Sequence, residues 1–313
     1  MRIPFDIPER GERAFDVVGL GLNSIDLVAV VAEYPESNSK QPLQRFARLP
    51  GGETATAMAI CARLGWDASY IGSFGDDEFG RTSAESLLTA GVSIEHARVV
   101  PGAVNQFAMI LVDARSGDRT VLWDRDPKLT LKPDEVMREP STAGRLLVVD
   151  SVQTAAATRA ATYARAAGIP TILDIDKVRP GTQQLLRQID VIIGAESLPS
   201  ELTGYDEPGR AIAAMANEYA SAVVCVTLGE KGCLARVGGM EIRVPAYTVP
   251  CVDTTGAGDA FRGGFAAGCL DCPDGDIEDV LAYANAVAAL NCRGLGARGG
   301  MPTKGEVEAL LVR

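Results

Sequence analysis

Histidine is almost missing from this 313-residue chain, which has His96 and no other. A Ser-His-Asp triad needs its imidazole beside a nucleophile, so that route to acyl transfer is poorly served. Basic charge is in deficit: 30 Lys and Arg stand against 41 Asp and Glu, a net charge of -11 and a pI near 4.8. A general nucleic-acid binder carries a basic footprint, so no nucleic-acid partner is expected. One anionic ligand held by backbone N–H groups stays compatible with that balance. Long apolar runs are missing too. No 18 consecutive residues are apolar and uncharged, and no membrane partner is expected. The first residues interleave proline and acids where a secretory signal needs an apolar stretch. The seven cysteines are an odd number in a chain this long. Together these features lead to an expectation of a reducing, cytoplasmic setting rather than a disulfide scaffold. The single Cys-x-x-Cys, Cys269 to Cys272, has no second pair to complete four zinc ligands, so neutral or buried thiols are the reading.

What is present is ordinary for a globular chain: 47% hydrophobic, 23% charged, mean hydropathy +0.08. At ~150 residues per domain the length allows about two domains or one large one. Phe15 to Leu22 is a short apolar run ending in glycines and reads as a buried parallel strand. Weaker β-like runs follow at Leu27–Val31 and Gln44–Leu49. Gly51-Gly52 opens an Ala-rich helix over Thr54–Leu64, closed by Gly65. Ala68–Phe74 reads as one strand, followed by a Gly75-Asp76-Asp77 turn and a helix to about Ala90. Val104–Val112 and Arg119–Trp123 read as a hairpin around Arg115-Ser116-Gly117-Asp118. From Leu146 strands and helices alternate: strands 146–149, 171–174, 191–193 and 222–227, helices 155–167, 182–187 and 210–219. That rhythm predicts a parallel sheet covered by helices on both faces. The whole chain, 1–313, reads as one domain with two β-rich insertions, about 27–49 and 103–125, able to pair into one small sheet.

The sharpest motif is Asp253-Thr-Thr-Gly256-Ala257-Gly258-Asp259, running straight into a helix of small and apolar residues. Free N–H groups at a helix N-terminus, unobstructed by bulky side chains, form an anion site. Asp259 falls on the first turn of that helix. A carboxylate repels a phosphate, so beside a phosphate-holding turn it suits a base for an approaching hydroxyl. A helix-capping Asp without chemistry is the alternative. Pro50-Gly51-Gly52 is a second glycine turn before a helix, able to hold a small polar ligand or to act as a turn alone.

With these segments in hand, the chain resembles the ribokinase-like (PfkB) carbohydrate kinases from Asp16 to about Pro302. The Asp253–Ala266 signature carries most of that resemblance. Gly51 to Thr56, Ala62 to Gly65 and Ile71 to Asp77 match the N-terminal signature in part. Thr56 stands where many members have Asn, and Glu53 where ribokinases have Lys, which argues against ribose as the substrate but not against the fold. The resemblance implies a ribokinase-like α/β fold: a central, mostly parallel sheet flanked by helices on both faces, with a small β-sheet lid.

It also implies ATP-dependent phosphorylation of a hydroxyl on a small sugar or sugar derivative. Asp259 would be the base, and Gly256, Ala257 and Gly258 the anion hole. Asp26 and Ser24, with the hinge glycines Gly51 and Gly52, would bind the substrate. Thr227, Gly229 and Gly232 match the family's ATP turn, and the adenine pocket would continue through 249–252 and the final helix around Asn285 to Asn291. Relatives hold Mg²⁺ near an Asn-x-x-Glu motif, but Ala195 and Leu198 occupy those two positions here. Glu196 and Glu201 are the nearest carboxylates, acting through water; Asp174 and Asp176 are a second candidate pair, and helix-cap acids the alternative. Asp253 and Thr255, with the Gly294–Gly300 loop, match the monovalent-cation side of relatives that bind K⁺. Lys40, Arg45, Arg48, Asn105, Gln106, Trp123 and Arg125 lie on the lid and suit either an already anionic sugar or a solvated face. A homodimer through the lid is a further implication.

Other readings stay open. A nucleoside kinase of the same family would need an aromatic residue stacked on a base, and Trp123 and Phe107 suit that or lid packing equally. A non-catalytic sugar or nucleotide sensor would fit the altered Asn-x-x-Glu stretch. A dinucleotide oxidoreductase is weakly served, because Gly19-x-Gly21-x-x-Ser24 lacks the third glycine and leads into a β-like segment.

Overall fold

The computed structural model describes residues 1–115 and 119–312. The apolar runs form the spine of a large sheet. Its strands are β1 (Phe15–Leu20), then β4 (Ala68–Ile71), β9 (Gly144–Asp150), β10 (Thr171–Ile175), β11 (Val191–Ala195), β12 (Val223–Thr227), β13 (Cys233–Val237) and β14 (Met240–Val244). Their order is β14-β13-β12-β11-β10-β9-β1-β4. All neighbours from β4 to β12 are parallel, and β13 and β14 finish the sheet as an antiparallel hairpin. β9 to β12 are Val/Ile/Leu runs buried along almost their whole length, as strands covered on both faces must be.

Successive side chains feed opposite faces. Val17, Leu146, Val148, Ile172, Ile193 and Val223 pack with α1 (Glu53–Arg63), α8 (Ala257–Asp271) and α9 (Ile277–Asn291). Val18, Leu147, Val149, Leu173, Ile192 and Val224 pack with α4 (Thr154–Ala166), α5 (Thr182–Leu186) and α7 (Pro208–Tyr219). Short helices α2 (Glu78–Thr89), α3 (Arg138–Ser141), α6 (Leu198–Thr203) and α10 (Lys304–Leu311) complete the layers. No described helix is long and apolar enough to cross a membrane.

A second, four-stranded sheet has the order β3-β2-β7-β8, from β2 (Ser24–Val31), β3 (Arg45–Gly51), β7 (Phe107–Asp113) and β8 (Arg119–Asp124). The expected hairpin is present as β7 and β8; its turn at Ser116-Gly117-Asp118 lies outside the described residues.

Three details depart from the sequence reading. The expected strand 68–74 is two strands. β4 joins the large sheet, while β5 (Ser73–Gly75) pairs with β6 (Arg98–Val100) in a separate ribbon. Between them the backbone at Gly72 passes so close to the Tyr70 ring that a Cβ would overlap it. The helix around 285–291 begins earlier, at Ile277, and is not the final one: Thr303 caps α10 in a reciprocal box with Glu306. The β13–β14 hairpin was not foreseen, although its turn residues Gly238 and Gly239, both at positive φ, are the pair that a tight hairpin demands.

α8 crosses α1 closely because Gly263 has no side chain. A Cβ there would stand 2.8 Å from the Ala57 carbonyl oxygen and 2.9 Å from Ile60 Cβ. Gly263→Ala is expected to lose about 1–3 kcal/mol through overpacking. Gly305→Ala, on α10 with open space around it, is expected to gain up to about 1 kcal/mol from helix propensity. Urea midpoints that shift the same way for both would refute this account of the α1–α8 contact.

Candidate active site

The large sheet reverses its winding at β1, which has β4 on one side and β9 on the other. A crevice outside the carboxyl ends of the strands is the geometric consequence. It is a cavity of about 1000 Å³, roofed by the small sheet. Leu22, Ser24, Asp26, Gly52 and Glu53 line one end; Thr227, Gly229, Gly232, Asn285 and Ala288 line the other; Thr254 to Asp259 lie between.

Two backbone turns shape it. Gly256 caps α8 at φ +74°, and a Cβ there would overlap the backbone of Ala297. The α8 N-terminus therefore opens into the cavity with no side chain in front of it. Gly52 caps α1 at φ +93° and lies against the backbone of Asn23. Asp26 is 5% exposed, accepts a hydrogen bond from the Ser24 hydroxyl at 2.9 Å, and lies against Gly51. Burial pushes its carboxyl up to about 6, against the opposing pull of Ser24 and Arg298. Asp259 is likewise pushed up to about 6, chiefly by burial, with Arg262 opposing and Asp26 adding to the rise. A carboxylate poised there is matched to proton abstraction near neutral pH.

Two arginines answer this concentration of acid. The Arg262 guanidinium lies 2.7 Å from Asp174 Oδ1 and 3.8 Å from Asp259 Oδ1. It rests directly against Gly258, where a Cβ would collide with its Nη1. Arg298 donates to Thr56 Oγ1 at 3.2 Å, Ser86 Oγ at 3.1 Å and the Gly51 carbonyl at 2.9 Å, so it ties α1, α2 and Gly51 together. Burial holds its guanidinium down to about 10. Burial first, then the carboxylates of Asp174 and Asp150, push Glu53 well above the usual range. Its Oε2 is buried without a partner. None of Arg262, Arg298 and Glu53 was among the residues expected to act. The alternation of Arg with small residues on α8 carries no signal by itself.

The other expected residues distribute unevenly. Gly256, Ala257, Gly258, Asp259, Asp26, Ser24, Gly52, Thr227, Gly229, Gly232, Asn285 and Thr255 all line the cavity, and Gly51 is buried behind Asp26. Asn285 spends its amide donor on the carbonyls of Val244 and Pro245. Asp253 accepts from the Thr255 N–H at 2.8 Å and the Gly296 N–H at 2.7 Å, stapling the turn to the Gly294–Gly300 loop. Thr255 Oγ1 is buried and unpartnered. Glu196 and Glu201 are exposed and are not among the cavity-lining residues. Asp174 is occupied by Arg262, and Asp176, which lines the cavity, holds Arg179 at 2.9 Å. Among the described residues no group of three or more His, Cys, Asp or Glu side chains is disposed to hold a metal. Of the basic candidates, Lys40 and Arg45 are exposed away from the cavity, and Arg48 pairs with Glu78. Asn105 is buried and accepts from the Gly75 N–H. Gln106, Trp123 and Arg125 line the cavity.

The comparisons agree on the kind of molecule. A family model described as pfkB family carbohydrate kinase matches residues 14–304. Ribokinase of Bacillus subtilis (strain 168) is 28% identical over 295 residues, covering 93% of this chain and 98% of that protein. ATP-dependent ribose-1-phosphate kinase of Halopiger xanaduensis is 30% identical over 300 residues, covering 94% and 97%. Arabidopsis thaliana ribokinase, solved with ribose and ATP, superimposes with a TM-score of 0.80 at 24% identity, covering 95% of this chain and 99% of that one.

Asp174 and Arg262 are each under a tenth exposed. Removing one partner of such a pair strands the other charge, so Asp174→Asn is expected to cost about 3–5 kcal/mol of stability. The double change Asp174→Leu with Arg262→Met is expected to cost less than that single one. Urea unfolding compares them, and a double variant weaker than Asp174→Asn would argue against a compensating pair.

Proposed function

The chain belongs to the pfkB family of carbohydrate kinases and is an ATP-dependent sugar kinase; from that membership and the cavity's geometry we propose that Asp259 takes the proton of a sugar hydroxyl while the α8 N-terminus receives the phosphoryl group. The observation that carries this reading is the juxtaposition of Asp259 with the open Gly256-Ala257-Gly258 turn in the cavity that Asp26 also lines. The N–H groups of that turn face the transferring phosphoryl and stabilise its charge without reorganising. Arg262, resting on Gly258, adds a fixed cation at the same point and keeps Asp259 from rising further. Phosphoryl transfer passes through a loose transition state, so positioning and charge stabilisation supply most of the acceleration.

Asp26 and Ser24 bind sugar hydroxyls, since a carboxylate accepts several such bonds. Gly51 and Gly52 carry the small sheet as a lid, formed by the insertions 27–49 and 103–125, whose closure excludes water. Arg119, on β8, already donates to Thr254 Oγ1 at 2.7 Å and so joins lid to phosphate turn. Thr227, Gly229, Gly232 and Asn285 form the nucleotide end. Mg²⁺ bound with the nucleotide would supply charge neutralisation on its phosphates. The cavity-lining carboxylate Asp176 would hold such an ion through its waters. The orphaned Thr255 hydroxyl supports a monovalent cation beside Asp253; activation by K⁺ in a titration tests it. Phe46, Met109 and Leu122 form an exposed apolar stripe on the lid's outer face. That stripe supports a homodimer, which sedimentation tests.

Asp259→Asn is expected to fold and to bind ATP but to lose about 10²–10⁴-fold in kcat. Near-normal turnover would remove the base assignment. In the wild type, kcat/KM is expected to rise with pH and level off above about 6, because the raised Asp259 and Asp26 carboxyls must both lose their protons. A limb centred near 4 would mean that neither raised group is essential.

A further inference from the structure

The inner face of the small sheet grades from one end of the cavity to the other. Register sets its rows. Val112 stands opposite Arg119, Ile110 opposite Val121, and Ala108 opposite Trp123 and Asp26. One step further, Ile25 and Asp124 both pair with Phe107, which puts Ser24, Gln106 and Arg125 in the last row. Arg119 therefore sits over the phosphate turn, and Arg125 lies at the opposite end, beside the sugar-binding residues Ser24 and Asp26.

Four guanidinium groups line the cavity, and three have side-chain partners. Arg262 pairs with Asp174, Arg179 with Asp176, and Arg119 bonds Thr254. Arg125 has none among the described residues. Its side chain makes a single hydrogen bond, from Nη2 to the Leu129 carbonyl at 3.2 Å, although a guanidinium carries five N–H donors. Burial lowers its proton affinity, so the charge sits in an unfavourable place without an anion. Asp150, whose charge bears on Arg125, makes no ion pair with it. Its oxygens already accept from the N–H groups of Leu22 and Val152 and from the Thr54 hydroxyl. Gln106, next in the row, holds a buried Oε1 without a donor.

We propose that Arg125 reads an anionic group on the sugar, so that the preferred substrate is a sugar acid or sugar phosphate rather than a neutral sugar. This rests on the sugar-kinase reading above. Two strand spacings and one pleat repeat separate Asp26 from Arg125, roughly 12 Å along the backbone. Two inward side chains and a five- or six-carbon sugar span that gap: hydroxyls meet Asp26, and the charged terminus meets the guanidinium. A planar fork of donors matches a carboxylate or phosphate in two-point contact. The γ-phosphate of ATP is excluded as the intended anion, because its turn lies under Arg119 at the other end.

The test is turnover with ATP and Mg²⁺ on matched pairs: ribose against ribose 1-phosphate, fructose against fructose 1-phosphate and fructose 6-phosphate, and glucose against gluconate. The expected result is at least a tenfold higher kcat/KM for one charged sugar than for its neutral partner. The phosphate and carboxylate arms tell which group is read. In Arg125→Gln that ratio is expected to fall at least tenfold, mostly through KM, with Arg125→Lys in between. A lesion of folding would lower both members of a pair alike and leave the ratio standing, which would overturn the assignment to Arg125. Neutral sugars preferred by the wild type would overturn the anionic class while leaving the kinase reading intact. No turnover of any sugar by protein that still binds ATP would overturn the kinase reading and this inference together.

Discussion

Carboxylates crowd the ends of the strands around one crevice, and the structure depends on how that charge is answered. Asp150, Asp174, Asp26, Asp259 and Glu53 are withdrawn from water there. Burying one unpaired carboxylate is costly, and burying five together would not be tolerated without cations or N–H groups. The chain uses a different device for each. Asp150 is absorbed by backbone N–H groups and a hydroxyl, and Asp174 takes a guanidinium on Oδ1 while its Oδ2 has no partner. Asp26 and Asp259 share the field of Arg298 and Arg262 without a close ion pair of their own, so their carboxyls stay near 6. The two acids proposed for the reaction are thus left incompletely compensated, as are Glu53 and one oxygen of Asp174.

The same bookkeeping explains the backbone. Arg262 can lie on the anion turn because position 258 is glycine. Arg298 reaches the hinge because the Gly294–Gly300 loop is held in place by Asp253 through the Gly296 N–H. The Gly256–Gly258 turn, Gly51 and the start of α8 are therefore mechanically joined. A displacement of the C-terminal loop would reach Gly51 through one side chain, and Gly51 is where the small sheet leaves the body.

Much of this frame was legible in the sequence because it is local. Alternating Val/Ile/Leu runs and Ala-rich helices sit within a dozen residues of one another, and Gly256-Ala257-Gly258-Asp259 marks a cavity-lining turn in four positions. The misses share one cause. Arg262 has meaning only once β10 and α8 are side by side, and Arg298 meets the Gly51 carbonyl 247 positions away. The charge of an arginine is visible in a sequence; its partner is not. Arg125 is the converse case. It was one basic residue among several on a strand, and the informative fact is that no described side chain pairs with it, which no local pattern carries. Gly72 misled for a similar reason, since an apolar run hides a break that the Tyr70 ring imposes from two residues back.

Glu53 fits this scheme as well. It stands at the first turn of α1, where a carboxylate is ordinarily welcome beside the helix N-terminus. The neighbouring acids override that preference and push it toward the protonated form. The lysine carried at this position by ribokinases would instead bring a positive charge among these acids. Glu in place of that lysine removes a positive charge from the Gly52 end of the cavity, while Arg125 on β8 keeps one at the edge of the small sheet. A ligand that matches that arrangement presents hydroxyls to the carboxyl side and its own negative charge to Arg125.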